Sequence, residues 1–338
     1  MRQAFGVQYG REQLPVPEWS KGFETEDFST VLANFLGIGA DFRTLYFVQK
    51  KDTVTNNAFF QMQGDVYLDF HIAKKVSMFV RKGLYSGESY DDFEIFGLLD
   101  LLPASGHVKV GKFIPNFGIK MDDHTTYIRT FTGFSQEVTR PELTGVEAAV
   151  APGPFSLFAG FYNAQDDFGA ATGDKKAFLG RAEGLFKLAE NTNLGVGANI
   201  FAKQAGTLST KSLTGDIISV AYDDLKLMGA FGSFSYENLT VLGEADLIQS
   251  KLAGRTTVGE VSYVEADYPV VTGLDLKFAY DFYDPDRDVK SGSINRYSVG
   301  FEGFPLPGVE VRPIYRFVRN QPVNLHNDEF DLVMHFYL

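Results

Sequence analysis

Five histidines, at positions 71, 107, 124, 326 and 335, lie scattered along the chain. No two have the spacing that grips one metal ion. The densest group of chemistry-bearing side chains is Asp122-Asp123-His124, followed by Thr125-Thr126. Its two carboxylates offer the oxygens that Ca²⁺ prefers, but a charged loop in water needs the same residues. Asp284-Pro285-Asp286-Arg287-Asp288 has the composition of a Ca²⁺ loop without EF-hand spacing, and reads as a solvated outer loop. The Gly-X-Ser-X-Gly elbow of hydrolases is missing. There is no cysteine, which removes disulfides, thiol nucleophiles and iron–sulfur ligation together. The residues converge on no catalytic set, so the expectation is a protein without catalysis, cofactor or metal.

Other charges must therefore be understood through the elements that carry them. The 338 residues carry a net charge of −12, which argues against nucleic acid as a partner. Aromatic content is 14%, with 32 Phe, 16 Tyr and one Trp, and there are 34 glycines. That mixture suits pleated sheets better than helices. The longest apolar runs, such as 96–99 and 147–154, are too short to span a bilayer as helices. Residues 1–11 have no apolar core of a secretion signal, so for a secreted chain the expectation is a leader already removed.

The dominant signal has period two. In 59–72, Phe60, Met62, Val66, Leu68, Phe70 and Ile72 alternate with Gln61, Gln63, Asp65, Tyr67, Asp69 and His71. A strand sends alternate side chains to opposite faces. The pattern recurs in 92–101, 178–188, 193–203, 274–284 and 296–303. Many of these runs reach ten residues, longer than soluble strands and close to the roughly 9–11 that a tilted strand needs to cross a bilayer. Sixteen strands are expected, at about 37–50, 58–72, 76–86, 91–102, 107–113, 143–151, 155–164, 177–188, 193–204, 226–236, 239–250, 256–268, 274–284, 294–304, 309–319 and 329–338. Tight turns at 74–75, 103–106, 152–154, 190–192, 237–238, 270–273 and 306–308 all fall at connections of one parity. Connections of the other parity are mostly longer: 51–57, 114–142, 165–176, 205–225, 285–293 and 320–328, with 217–222 a candidate extra hairpin arm. The expected fold is all-β: a transmembrane antiparallel up-and-down barrel over 36–338, preceded by a periplasmic N-terminal tail or short plug segment over 1–35. Residues 27–35 read as a short helix or an early strand extension.

The end of the chain carries the most specific motif. Phe330, Leu332, Met334, Phe336 and Leu338 alternate to the last residue. This resembles the C-terminal signal that the barrel-assembly machinery reads in outer-membrane proteins, although most members end in Phe rather than Leu. The loop 114–142 after the fifth strand resembles the loop that folds into the lumen of sixteen-stranded general porins. The run Val110-Gly111-Lys112-Phe113-Ile114-Pro115-Asn116-Phe117-Gly118 is similar to a strand-to-loop passage of porin families. The resemblance is to bacterial outer-membrane porins as a class. It implies a barrel in outer-membrane lipid, often a homotrimer, with a constriction formed by Asp122, Asp123, His124, Arg129, Glu137 and Arg140.

The polar face supplies the pore wall: Asp41, Arg43, Asp65, Asp69, Arg81, Asp92, Glu94, Lys109, Arg181, Glu183, Arg296, Glu302, Arg312 and Arg316. Charges are costly both in lipid and in a dry interior, so a wet lumen is expected. A wet closed barrel passes small hydrophilic solutes and ions. Carboxylates outnumber bases, which favours cations modestly. Loop acids Asp122, Asp123 and Glu137 are expected to face a basic wall of Arg43, Arg81, Arg296, Arg312 and Arg316 across the passage. Two other readings are the sheath of a porin–cytochrome electron conduit and an outer-membrane barrel enzyme or adhesin. The sheath reading lacks a Cys-X-X-Cys-His haem motif in this chain.

Overall fold

The computed structural model describes residues 14–22, 31–32, 35–51, 54–84, 93–121, 123–134, 141–164, 175–211, 217–321 and 327–338. Sixteen strands form the ring. The first eight are β1 (Leu36–Lys51), β2 (Val54–Ala73), β3 (Val76–Gly83), β4 (Phe93–Leu102), β5 (Gly106–Phe113), β6 (Leu143–Val150), β7 (Phe155–Asn163) and β8 (Lys176–Ala189). The rest are β9 (Thr192–Lys211), β10 (Ile217–Tyr236), β11 (Leu239–Leu252), β12 (Arg255–Val271), β13 (Leu274–Asp284), β14 (Ile294–Leu306), β15 (Val309–Asn320) and β16 (Asn327–Tyr337). Each pairs antiparallel with its sequence neighbours. β16 closes the ring on β1, in register from Asn327↔Lys51 to Tyr337↔Asp41. Closure gives every strand of the ring two neighbours. A two-residue strand, Val31–Leu32, pairs with Leu36 and Gly37 outside the ring.

The alternation decides what each face meets. Phe59, Ile72, Phe278, Phe301 and Phe336 are exposed on the outside. So much contiguous apolar surface is far beyond what a water-soluble protein tolerates, and its natural solvent is lipid. Outer aromatic pairs lie toward both rims: Phe42–Phe336 and Phe155–Phe186 at the end with the tight turns, Tyr46–Phe59 and Tyr280–Tyr297 toward the other.

Two expectations need correction. First, β2 is not one unbroken alternation. Pairing jumps from Arg43↔Gln63 to Thr44↔Gln61, leaving Met62 as the extra residue of a β-bulge. The bulge reverses the faces beyond it. Phe59 stacks outside on Tyr46, while Met62 turns inward against Leu45 and Val333. Second, the connections 51–57 and 205–225 are mostly strand. β2, β9 and β10 are 20 residues long, twice what a membrane crossing needs, so they stand well beyond the hydrocarbon. Ile217–Tyr222 is the continuation of β10, paired to β9 out to Lys211↔Ile217. One connection of the longer parity is short: 253–254 is a two-residue turn, with Ala253 and Gly254 at φ 48° and 84°, as the turn of a tight hairpin demands. The seven tight turns of the other parity all stand where the sequence puts them.

Candidate functional site

The segment from Ile114 to Phe134 leaves β5 and turns into the barrel. It carries the short helix α1 (Tyr127–Thr132), which packs against β9, β11, β12 and β13. Its sequence builds one apolar side and several polar anchors. Tyr127, Ile128 and Phe131 are buried, and Phe131 is wholly inaccessible. Phe131 stacks on Tyr283 of β13 at 3.7 Å, and Phe117 stacks on Phe134 at 5.0 Å. These rings join Leu225, Leu227, Ile248, Val261 and Tyr263 in one core inside the barrel. The helix ends at Gly133, whose φ of 84° is the left-handed cap that glycine adopts cheaply.

Polar bonds fix the other side of this loop. The Asp123 carboxylate meets Arg316 Nη2 of β15 at 3.0 Å. Its Oδ1 also accepts bonds from the Thr125 backbone N–H and hydroxyl, at 2.9 and 2.6 Å. Arg316 donates to the Thr125 hydroxyl at 2.7 Å, and Arg296 of β14 donates to the Thr125 carbonyl at 3.0 Å. Arg296 also lies 4.3 Å over the Tyr127 ring, while Asp281 of β13 accepts the Tyr127 N–H at 2.8 Å. Burial pushes the Asp123 carboxyl up, but the guanidiniums of Arg316, Arg312 and Arg296 outweigh it and hold it well below the usual carboxylate range. At the foot of the loop, Glu244 of β11 accepts the Ile119 N–H at 2.6 Å. Gly118, at φ 62°, rests against the same carboxylate, where a Cβ would collide. Arg181 donates to the Gly118 carbonyl.

The expected wall residues among the described residues share the inner face. Arg81 binds Asp65 at 3.1 Å, Glu94 at 3.1 Å and Glu142 at 2.6 Å. Arg43 faces Asp41 at 3.5 Å, Arg312 faces Glu310 at 3.7 Å, and His335 bridges Asp41 and Glu310 at 2.8 Å each. Arg316 also pairs with Asp331. Arg181 pairs with Glu183, and Glu302 with Lys277 at 3.1 Å. Asp69 faces His71 at 3.4 Å. Lys109 lies over the Phe96 and Phe113 rings at 4.4 and 3.9 Å.

Two expectations about this wall are revised. The charges were expected to stand in water, yet the side chains of Arg43, Arg81, Arg296, Arg312 and Arg316 are only 3–5% exposed. They satisfy one another instead of hydrating separately. Loop acid and wall base were expected to oppose each other across a gap, but Asp123 and Arg316 touch. His124 is buried, and Arg129 bonds the Met121 carbonyl at 2.6 Å within the loop itself. Asp122, Glu137, Arg140 and Asp92 lie outside the described residues.

The sequence reading missed Glu142 as the third partner of Arg81, and it missed the aromatic interior. Tyr67, Phe79, Phe96, Phe113 and Tyr162 make a ladder around β2 to β7, with ring spacings of 6.1, 5.1, 5.7 and 5.8 Å. A signal was present: Phe79 and Phe96 stand two residues from Arg81 and Glu94, on the polar parity.

A closed sixteen-stranded antiparallel barrel, apolar outside and charged inside, with the loop after its fifth strand folded inward, defines a class: it is the fold of bacterial outer-membrane porins. No family model matches the sequence, and no curated protein matches it. Solved structures do match. An anion-selective porin from Comamonas acidovorans superposes with a TM-score of 0.65 at 10% identity, covering 90% of this chain and 99% of that one. The outer membrane channel DcaP of Acinetobacter baumannii gives 0.62 at 11%, covering 90% and 97%. OmpT, an outer membrane protein of Vibrio cholerae, in its trimer form gives 0.62 at 12%, covering 90% and 99%. At such identities the likeness is one of fold.

Proposed function

We propose that this chain is an outer-membrane porin through which small hydrophilic solutes and ions diffuse passively, with no catalysis and no cofactor. The observation that carries the reading is the inward loop. A barrel needing only to sit in lipid has no use for a loop tied by charge and stacked rings to its far wall. A diffusion channel uses such a loop to set the width and field of its narrowest section. Asp123, His124 and Arg129, with Asp122, Glu137 and Arg140 from the rest of the loop, are the proposed constriction residues. The proposed wall comprises Asp41, Arg43, Asp65, Asp69, Arg81, Glu94, Lys109, Arg181, Glu183, Arg296, Glu302, Arg312 and Arg316, completed by Asp92. Dense pairing around the loop predicts a narrow passage and small conductance.

The proposed orientation puts the tight turns and both termini in the periplasm. Residues 1–35 form a tail on that side. Its described part supports this: Val16 is buried, and its N–H bonds the Phe304 carbonyl at 2.8 Å, near the turn end of β14. The outward face of Phe330, Leu332, Met334, Phe336 and Leu338 is the proposed signal for the assembly machinery. A homotrimer is the proposed assembly. A modest cation preference is proposed from the carboxylates at the turn end. A sheath for a second protein needs an empty lumen, and the loop core occupies that space.

The test is single-channel recording of refolded protein in planar bilayers. Discrete small conductance steps are expected. A correctly folded barrel that inserts and conducts nothing would refute the channel reading.

A further inference from the structure

Among the interior charges, Asp246 of β11 is unlike the paired residues above it. It is 2% exposed, and neither carboxylate oxygen accepts a hydrogen bond within the protein. Asn199 of β9, 6% exposed, also has an Oδ1 without a donor. Gly229 of β10 lies between them in register, paired with Asn199 on one side and Asp246 on the other. A Cβ on Gly229 would stand 3.0 Å from Asn199 Oδ1 and would collide with Asp246 Oδ1. The two unpartnered oxygens therefore converge on the space that glycine leaves open. Glu244 completes the group, two residues along the same face of β11. Its Oε1 takes the Asn199 amide N–H at 3.5 Å, which turns the Asn199 carbonyl oxygen toward Asp246.

A buried carboxylate without donors is strongly disfavoured unless something compensates it. The nearby guanidinium is only partly engaged elsewhere: Arg181 binds Glu183 and the Gly118 carbonyl through its two terminal nitrogens, and its buried Nε bonds neither Asp246 nor Glu244. The acceptors are two carboxylates and an amide oxygen, which together form the ligand type of a hard cation. We propose that Asp246, Asn199 and Glu244, over Gly229, bind a hard divalent cation of the Ca²⁺ class. Water supplies the remaining ligands. Two adjacent carboxylates favour double over single positive charge, and an irregular set suits Ca²⁺ better than the strict octahedron of Mg²⁺. Because Glu244 also holds the Ile119 N–H, an occupied site braces the foot of the inward loop. The competing arrangement is a proton shared between Asp246 and Glu244, which leaves Asn199 Oδ1 unanswered.

The experiment uses the full-length barrel, refolded in detergent and stripped with chelator, so its result does not depend on whether the protein conducts. Tb³⁺ is the probe, with tyrosine as sensitiser; Tyr263 pairs with Glu244 in register. Expected is Tyr-sensitised emission that Ca²⁺ displaces, with affinity reduced tenfold or more in Asp246→Asn and several-fold in Asn199→Ala. Circular dichroism and heat-modifiable gel mobility check that each variant folds. If Asp246→Asn does not fold, Asn199→Ala decides alone. Wild-type protein without Ca²⁺-displaceable emission overturns the proposal, as does equal affinity in the folded variants. An Asp246→Asn barrel as stable as a metal-free wild type would point to the shared proton instead.

Discussion

At the scale of the residue, Asp123 decides where the loop lies. Its carboxylate is buried, yet three guanidiniums hold its pKa below the usual range. A carboxyl whose folded pKa is depressed adds stability fully present above its unfolded value of about 3.9. That contribution disappears only as pH falls through the lower folded value. We predict that loop docking through Asp123 is unchanged between pH 7 and pH 5 and weakens only in stronger acid. Asp123→Asn should loosen the loop throughout that neutral to mildly acid range, by roughly 1.5–3 kcal/mol for a lost charge-assisted bond, and should match wild type only in strong acid. Channel noise and protease access to the loop, measured against pH, check this. Wild-type loop release already complete near pH 5.5 would sink it. The role of Asp123 as a loop acid was legible from sequence. Its contact with Arg316 was not, because 193 residues separate the two and only ring closure brings β15 beside the loop.

Among the elements, the strands were the most legible feature and the loop helix the least. Two-residue periodicity reports two different solvents, and a closed barrel in lipid imposes that contrast on every strand. The bulge at Met62 escaped because Phe60 and Met62 continue the written alternation although the pairing does not. Helix α1 escaped because six residues are too few to show a period, and tertiary packing supplies most of its stability. We predict that Phe131→Ala, which empties a fully enclosed site stacked on Tyr283, costs roughly 3–5 kcal/mol. The urea midpoint of the refolded barrel measures it, and a change under 1 kcal/mol would mean that the loop core is not part of the folded unit. We also predict that deleting residues 336–338 blocks assembly. The pairs Phe336↔Phe42 and Tyr337↔Asp41 close the ring, so their loss reopens an edge. Outer-membrane levels equal to wild type would contradict this.

For the whole molecule, the sequence said which face of each strand is inside but not what the inside is like. Both charges and large aromatics point inward, so the polar parity predicted a wet lumen where the structure shows a paired and partly apolar one. Selectivity depends on which charges still reach water. Arg81, Arg296 and Arg316 are 3–5% exposed and locked to carboxylates. Toward the turn end the order reverses: Asp41, Asp69, Glu183, Asp267 and Glu302 are 18–22% exposed. Lys277, which serves Asp267 and Glu302, is only 10% exposed. Fixed charge acts on passing ions within about 8 Å in physiological salt, so these carboxylates dominate the field at that mouth. We predict that the reversal potential in a KCl gradient shows cations preferred over anions. Neutralising the accessible acids with Asp267→Asn and Glu302→Gln should reduce the permeability ratio by a factor of roughly two. The conductance itself should change less, because the two residues lie at the mouth and not against the loop. Lowering the salt should enlarge the difference, as the screening length grows to about 30 Å at 0.01 M. A wild-type channel that prefers anions, or a double variant with an unchanged ratio at low salt, would show that the buried arginines govern the field instead.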